Sequence, residues 1–153
     1  MSKDFSNYQL AQLNIAKFER PADDPINKPF FDAIDSVNAV AESSDGFIWR
    51  LVDESDDPED LQAFDDPEML INLSVWRDID ALAAFVYRDK NHLAVMRRKS
   101  EWFVSMEAHM VLWWISAGHQ PTLSEAKDRL ELLKKNGTSN IAFTFKDRFD
   151  PPA

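Results

Sequence analysis

The sequence predicts an α+β domain whose elements run β-α-β-β-α-β, the ferredoxin-like order, with an additional C-terminal helix. Three observations carry this reading. Apolar and polar residues alternate over 8–16 and again over 69–76, the period of a half-buried strand. Helical spacing, with capping residues at the right offsets, fills the intervals between extended segments. A short and nearly continuous apolar run, HMVLWWIS at 109–116, has the pattern of a strand buried on both faces. No repeat, long linker or low-complexity tract divides the chain, so residues 1–153 are read as a single domain.

The elements follow in order. In YQLAQLNIA (8–16), Ala11, Leu13 and Ile15 fall on one face, with Tyr8, Leu10, Gln12 and Asn14 on the other. A turn-rich stretch with Pro21, Pro25 and Pro29 follows. Pro29 suits a helix start, because the first turn has no use for its missing N–H. Phe30, Ile34, Val37 and Ala41 then share a helical face up to Gly46. FIWRLV (47–52) reads as a second strand. In MLINLSVW (69–76), the third, Ile71, Leu73 and Val75 alternate with Asn72, Ser74 and Trp76. Asp78 is placed to cap a helix carrying Ile79, Leu82 and Val86, and a further helical stretch covers about 91–105. Thr122 and Glu125 form a capping-box signature ahead of Leu123, Ala126, Leu130 and Leu133, and Gly137 stands where that helix should stop. In a sheet with helices on one face, the other face also needs cover. The simplest cover is the same face of a second copy, so a homodimer is expected.

Composition excludes several function classes. The chain has 153 residues, 44% hydrophobic, with no cysteine and a net charge of −10. Without cysteine there is no disulfide, thiolate nucleophile or cysteine–zinc site. Its three glycines, Gly46, Gly118 and Gly137, stand alone, so no Gly-rich loop cradles a phosphate and no G-x-S-x-G elbow presents a serine. Nine acidic residues and no basic one lie in 53–68, and without them the net charge falls from −10 to −1. This segment reads as an exposed loop. The balance opposes binding to nucleic acid or an anionic membrane. The N-terminus lacks signal-peptide features and no apolar run approaches a membrane span, so a cytoplasmic location is the expectation.

The segments GFIWRL (46–51), INLSVWRDIDALAAFVYRDKNH (71–92), RRKSEWF (97–103), VLWWISAGHQPT (111–122) and AFTF (142–145) resemble a bacterial family of uncharacterised proteins. That family is related to the antibiotic-biosynthesis-monooxygenase-like dimeric α/β barrels. The resemblance covers nearly the whole chain and implies a dimeric α/β barrel. The wider superfamily includes cofactor-independent monooxygenases, haem-degrading enzymes, isomerases and proteins without known catalysis, so it leaves the activity open. Its shared pattern is a tryptophan ending strand three, a helix, then a histidine; here these are Trp76, the helix from Asp78, and His92. Haem-degrading relatives use a strand-one asparagine, which Asn14 resembles, the tryptophan, and a later helix histidine. Counted from Trp76, Arg97 rather than His92 falls near the haem ligand's place. Haem is therefore disfavoured, and no cofactor is expected.

Asn14, Asn72, Ser74 and Trp76 form the main constellation. Polar side chains on one face of two strands suit a pocket for a polar small molecule; a satisfied hydrogen-bond network or solvent exposure suits them equally. Arg50, within an apolar strand, can hold a carboxylate, phenolate or oxyanion, or pair with the acidic loop beside it. His92 is the general acid/base candidate, with a helix-surface or partly buried histidine as the alternative. Arg97, in the basic group Lys90, Arg97, Arg98 and Lys99, offers a charge for an anionic ligand, or pairs with the acidic loop. Trp113 and Trp114 suit a planar ligand, a dense core or a dimer interface, and face opposite sides of the sheet. His119 is a secondary pocket candidate or a turn-stabilising residue. His109, His119 and Glu107 match no zinc or iron spacing, so no metal site is expected.

The resemblance, joined to the chemistry of these side chains, implies an oxidoreductase similar to cofactor-independent monooxygenases, acting on a small aromatic or polyketide-like substrate. His92, Asn72, Trp76 and Arg50 would carry the chemistry; Asn14, Ser74, Trp113, Trp114, Arg97 and His119 would line the site. The alternative is a noncatalytic dimeric binding protein for a hydrophobic metabolite, with haem binding third.

Overall fold

The computed structural model describes residues 7–21, 23–51, 69–104 and 109–151. The acidic segment 53–68, Val52 and Glu107 lie outside the described residues. Four strands, β1 (Tyr8–Lys17), β2 (Phe47–Arg50), β3 (Met69–Trp76) and β4 (Met110–Ser116), form one sheet in the order β2-β3-β1-β4. Every pairing is antiparallel. The helices are α1 (Lys28–Ser43), α2 (Ile79–Arg88), α3 (Lys90–Arg97) and α4 (Leu123–Asn136). This is the α+β element order that the periodicities predict.

Strand alternation divides the core into two layers. On one face, Ala11, Leu13, Ile15, Leu73, Val75, Val111, Trp113 and Ile115 pack with Leu123, Ala126 and Leu130 of α4. On the other, Leu10, Trp76 and Leu112 meet Ala41 of α1 and Ala81 and Leu82 of α2. An aromatic cluster of Phe18, Phe30 and Trp102 closes the far end of that helical face, with Ile34, Leu70 and Val95 around it. The additional helix α4 thus covers much of the face for which a second copy was expected. Trp49, Leu51, Met69 and Ile71 at its β2–β3 side are half-buried.

The caps fall where the residue types place them. Asp78 Oδ1 accepts from Ala81 N at 2.8 Å, and Thr122 Oγ1 accepts from Glu125 N at 3.1 Å. The helical stretch expected over 91–105 is shorter. Helix α3 ends at Arg97, a 3₁₀ turn takes Lys99–Glu101, and Phe103 bridges to Phe18. Burial of Trp102 against Phe30, ring centroids 5.4 Å apart, competes with continued helix and wins. Strand β2 also stops at Arg50, with a register shift between Phe47 and Trp49 that leaves Ile48 exposed. Beyond α4 the chain returns to the sheet edge, where Phe143 exchanges two backbone hydrogen bonds with Leu112, at 2.8 and 2.9 Å. Phe143 is fully buried.

Candidate functional site

Register assembles a polar band on the helical face. Residues directly opposite across antiparallel strands share a face, and Arg50, Ser74 and Gln12 form one such row. The next row sets Asn72 against Asn14, and Asn14 against Met110. Gln12 is the centre. Its Nε2 donates to Asn72 Oδ1 at 3.1 Å and to Ser74 Oγ at 2.9 Å. Ser74 Oγ also accepts from Trp76 Nε1 at 3.0 Å. Because Asn72 accepts through its carbonyl oxygen, its amide NH₂ is directed away from Gln12 and is available as a donor. Sequence reasoning put Gln12 on the correct face but did not single it out; its position between Leu10 and Asn14 in the alternation was the available signal.

Trp76 links this band to His92. The indole is fully buried, stacked on Phe85 with ring centroids 5.5 Å apart and edge-on to Phe47. Phe85 meets the His92 ring at 5.1 Å. His92 is held from two sides: Asp89 caps α3 by accepting the His92 backbone N–H at 2.8 Å, and Nδ1 lies 3.0 Å from the Val86 carbonyl oxygen. A carbonyl only accepts, so Nδ1 carries the proton and Nε2 of the neutral ring keeps a basic lone pair. Burial holds the imidazole below the usual histidine range, opposed by the bond to Val86 and the charge of Asp89. Between the depressed native value and the ordinary value of about 6.5 the unfolded chain binds more protons, so acid favours unfolding. Stability is expected to fall as pH drops from about 6.5 through the native value. Urea midpoints of His92→Gln across that window should show a shallower acid-side slope.

Arg50 is paired with a residue of the preceding helix. Its Nε donates to Glu42 Oε1 of α1 at 2.7 Å; the acidic segment anticipated as its partner lies outside the described residues. Trp114 shares the helical face with Leu10, and its Nε1 donates to the Phe149 carbonyl oxygen at 2.7 Å. Trp113 and His119 are assembled elsewhere. Trp113, fully buried on the α4 face, donates Nε1 to Glu125 Oε2 at 2.8 Å, and His119 Nε2 lies 2.7 Å from Glu125 Oε1. Glu125 therefore ties the turn after β4 to α4 instead of completing a capping box. Arg97 is exposed at the end of α3, while its neighbour Arg98 pairs with Glu101 and lies over the Trp102 ring. Among the described residues, no group of acidic and histidine side chains is arranged to hold a metal ion.

The sequence profile of a family described as "Domain of unknown function (DUF3291)" matches residues 9–153. The chain belongs to that family. No curated protein matches its sequence. Among solved structures, it is similar to PA3566 from Pseudomonas aeruginosa (9% identity, TM-score 0.52, covering 76% of this chain and 100% of the other). It is also similar to Rv0793 from Mycobacterium tuberculosis (13%, 0.51, 74% and 99%). A candidate antibiotic biosynthesis monooxygenase from Nitrosomonas europaea matches at 12% identity and TM-score 0.51, over 79% of this chain and 99% of its own. At such identities the likeness is one of fold alone.

Proposed function

We propose that this DUF3291 protein is an oxidoreductase of the cofactor-independent monooxygenase kind, acting as a homodimer on a small, electron-rich aromatic or polyketide-like substrate. The observation that carries this reading is the fixed tautomer of His92, which leaves a neutral, basic Nε2 beside the Trp76–Phe85 stack. A general base with a depressed pKa is neutral at physiological pH and ready to take a proton. The Asn72 NH₂ supplies a donor for the resulting anion, and Arg50 supplies a second once it exchanges Glu42 for substrate. Asn14 orients the substrate and Trp114 gives its ring apolar surface, while the buried Ser74 and Trp76 hold the polar band and the aromatic stack in place behind them.

The atoms balance without a cofactor. For an activated ring CH₂, as in an anthrone, His92 takes one proton and the carbanion transfers an electron to O₂. The radical pair combines to a peroxide anion, which recovers a proton, and loss of water leaves the ring carbonyl. The substrate supplies all four electrons, and the oxygen atoms end in carbonyl and water. Trp113, Arg97 and His119 have no part in this scheme. Haem does not fit the arrangement: Arg97, at the place of the haem ligand, carries a guanidinium that stays protonated and cannot bind iron.

The alternative, a noncatalytic binding protein for a hydrophobic metabolite, is favoured by one observation. The amide of Gln12, the Ser74 hydroxyl and the Arg50 guanidinium already have partners within the chain. Oxygen-electrode assays with a panel of anthrols and hydroquinones separate the two. Protein-dependent oxygen uptake is expected; none across the panel, with a metabolite retained in native mass spectrometry, selects the binding protein. For the dimer, the strip of Trp49, Leu51, Met69 and Ile71 beyond α4 is the proposed contact. Sedimentation should give the mass of two chains, and Trp49→Arg the mass of one. No described helix is long and apolar enough to cross a membrane.

A further inference from the structure

A groove of about 630 Å³ opens at the start of β4, and His92 is not among the residues that line it. Its size lies within the range of small-molecule sites. Met110, Leu133 and Phe145 give it an apolar floor, and Tyr87 stands at one side with its ring 5.4 Å from that of Phe145. Lys134 and Lys146 form the rim. The anchored return of the chain at Phe143 fixes the wall that carries Phe145 and Lys146.

Charge selects the occupant. Not one described lining residue is acidic, in a chain whose net charge is −10. Asp147 Oδ2 accepts from Thr138 Oγ1 at 3.1 Å at one end of the lining. Glu131 is 3.7 Å from Lys134 Nζ in a pair exposed on both sides, and such pairs hold little free energy. A ligand anion can therefore displace it. Two lysines above an apolar floor match a molecule with a charged end and a flat or short apolar body.

We propose that this groove binds a small organic anion, a carboxylate or sulfonate carried on an aromatic or short aliphatic body. Met110, opposite Asn14, borders both the groove and the polar band, but neither His92 nor the band's polar side chains line the groove, so the proposal holds whether or not the oxygenase reading does.

The test is a fluorescence titration of the full chain with 8-anilinonaphthalene-1-sulfonate, set beside the neutral N-phenyl-1-naphthylamine. One anionic probe per chain is expected. The double variant Lys134→Glu/Lys146→Glu, at exposed positions, should weaken it roughly tenfold and leave the neutral probe unaffected. His92→Ala should leave both probes unaffected. Absence of saturable binding overturns the proposal, as does unchanged affinity in the double variant or equal loss of both probes. Weakening by His92→Ala would move the probe to the polar band and also overturn it. Sedimentation of the double variant covers a second copy as occupant: a changed mass would make the groove a contact between chains.

Discussion

Replacing His92 with alanine is expected to lower turnover of any anthrol or hydroquinone that the wild-type protein oxidises by about 10²–10⁴-fold, the usual worth of a positioned base. The effect belongs in kcat, because the imidazole moves a proton and contributes little to holding the ring. Added imidazole should restore part of the rate, which loss of folding would not allow. The pH profile gives a second check. The base works only when neutral, and burial depresses its pKa, so kcat/KM should rise with pH through a value below about 6.5 and level off by neutrality. Unchanged turnover in His92→Ala would remove the base from the mechanism.

The largest stability effect is expected at Gly46. Its φ is +87°, a left-handed conformation that side chains disfavour, and a Cβ added there would collide with Ala81 Cβ of α2. The Gly46 carbonyl meanwhile accepts the Arg77 backbone N–H at 2.7 Å, so the turn cannot shift without losing that bond. Gly46→Ala should cost about 2–4 kcal/mol, the backbone strain and the steric overlap together. A urea titration measures it. Ala81→Gly introduced into the same chain removes the overlap but not the strain, so the pair should be less than additive by about 1–2 kcal/mol. Strict additivity would mean that α2 does not press on the turn.

Local chemistry made most of the fold legible. Asp78, Thr122 and Gly137 each do at a helix end what their side chains or lack of one dictate. Period-two alternation set Asn14, Asn72, Ser74 and Trp76 on one face before any register was known, and it separated Trp113 from Trp114. The misses share a cause: they depend on which distant groups meet. His92 was legible as a titratable residue, but its tautomer is set by Val86, on the far side of a helix break at Asp89 that the 91–105 periodicity concealed. The partner of Arg50 among the described residues, Glu42, comes from the helix before it, and no sequence pattern singled it out. Gln12 took its importance from two strand-three side chains some sixty positions later. Such pairings belong to topology, and no local pattern encodes them.

The position of β1 in the middle of the sheet has a kinetic consequence. Leu10 must find Trp76 on one side and Trp114 on the other, so both seams join segments remote along the chain. Each closes a long loop before its contacts return any free energy. Folding should therefore run on the millisecond-to-second scale typical of nonlocal topologies. The polar band lies across the seam between β1 and β3, and it can form only when that late pairing does.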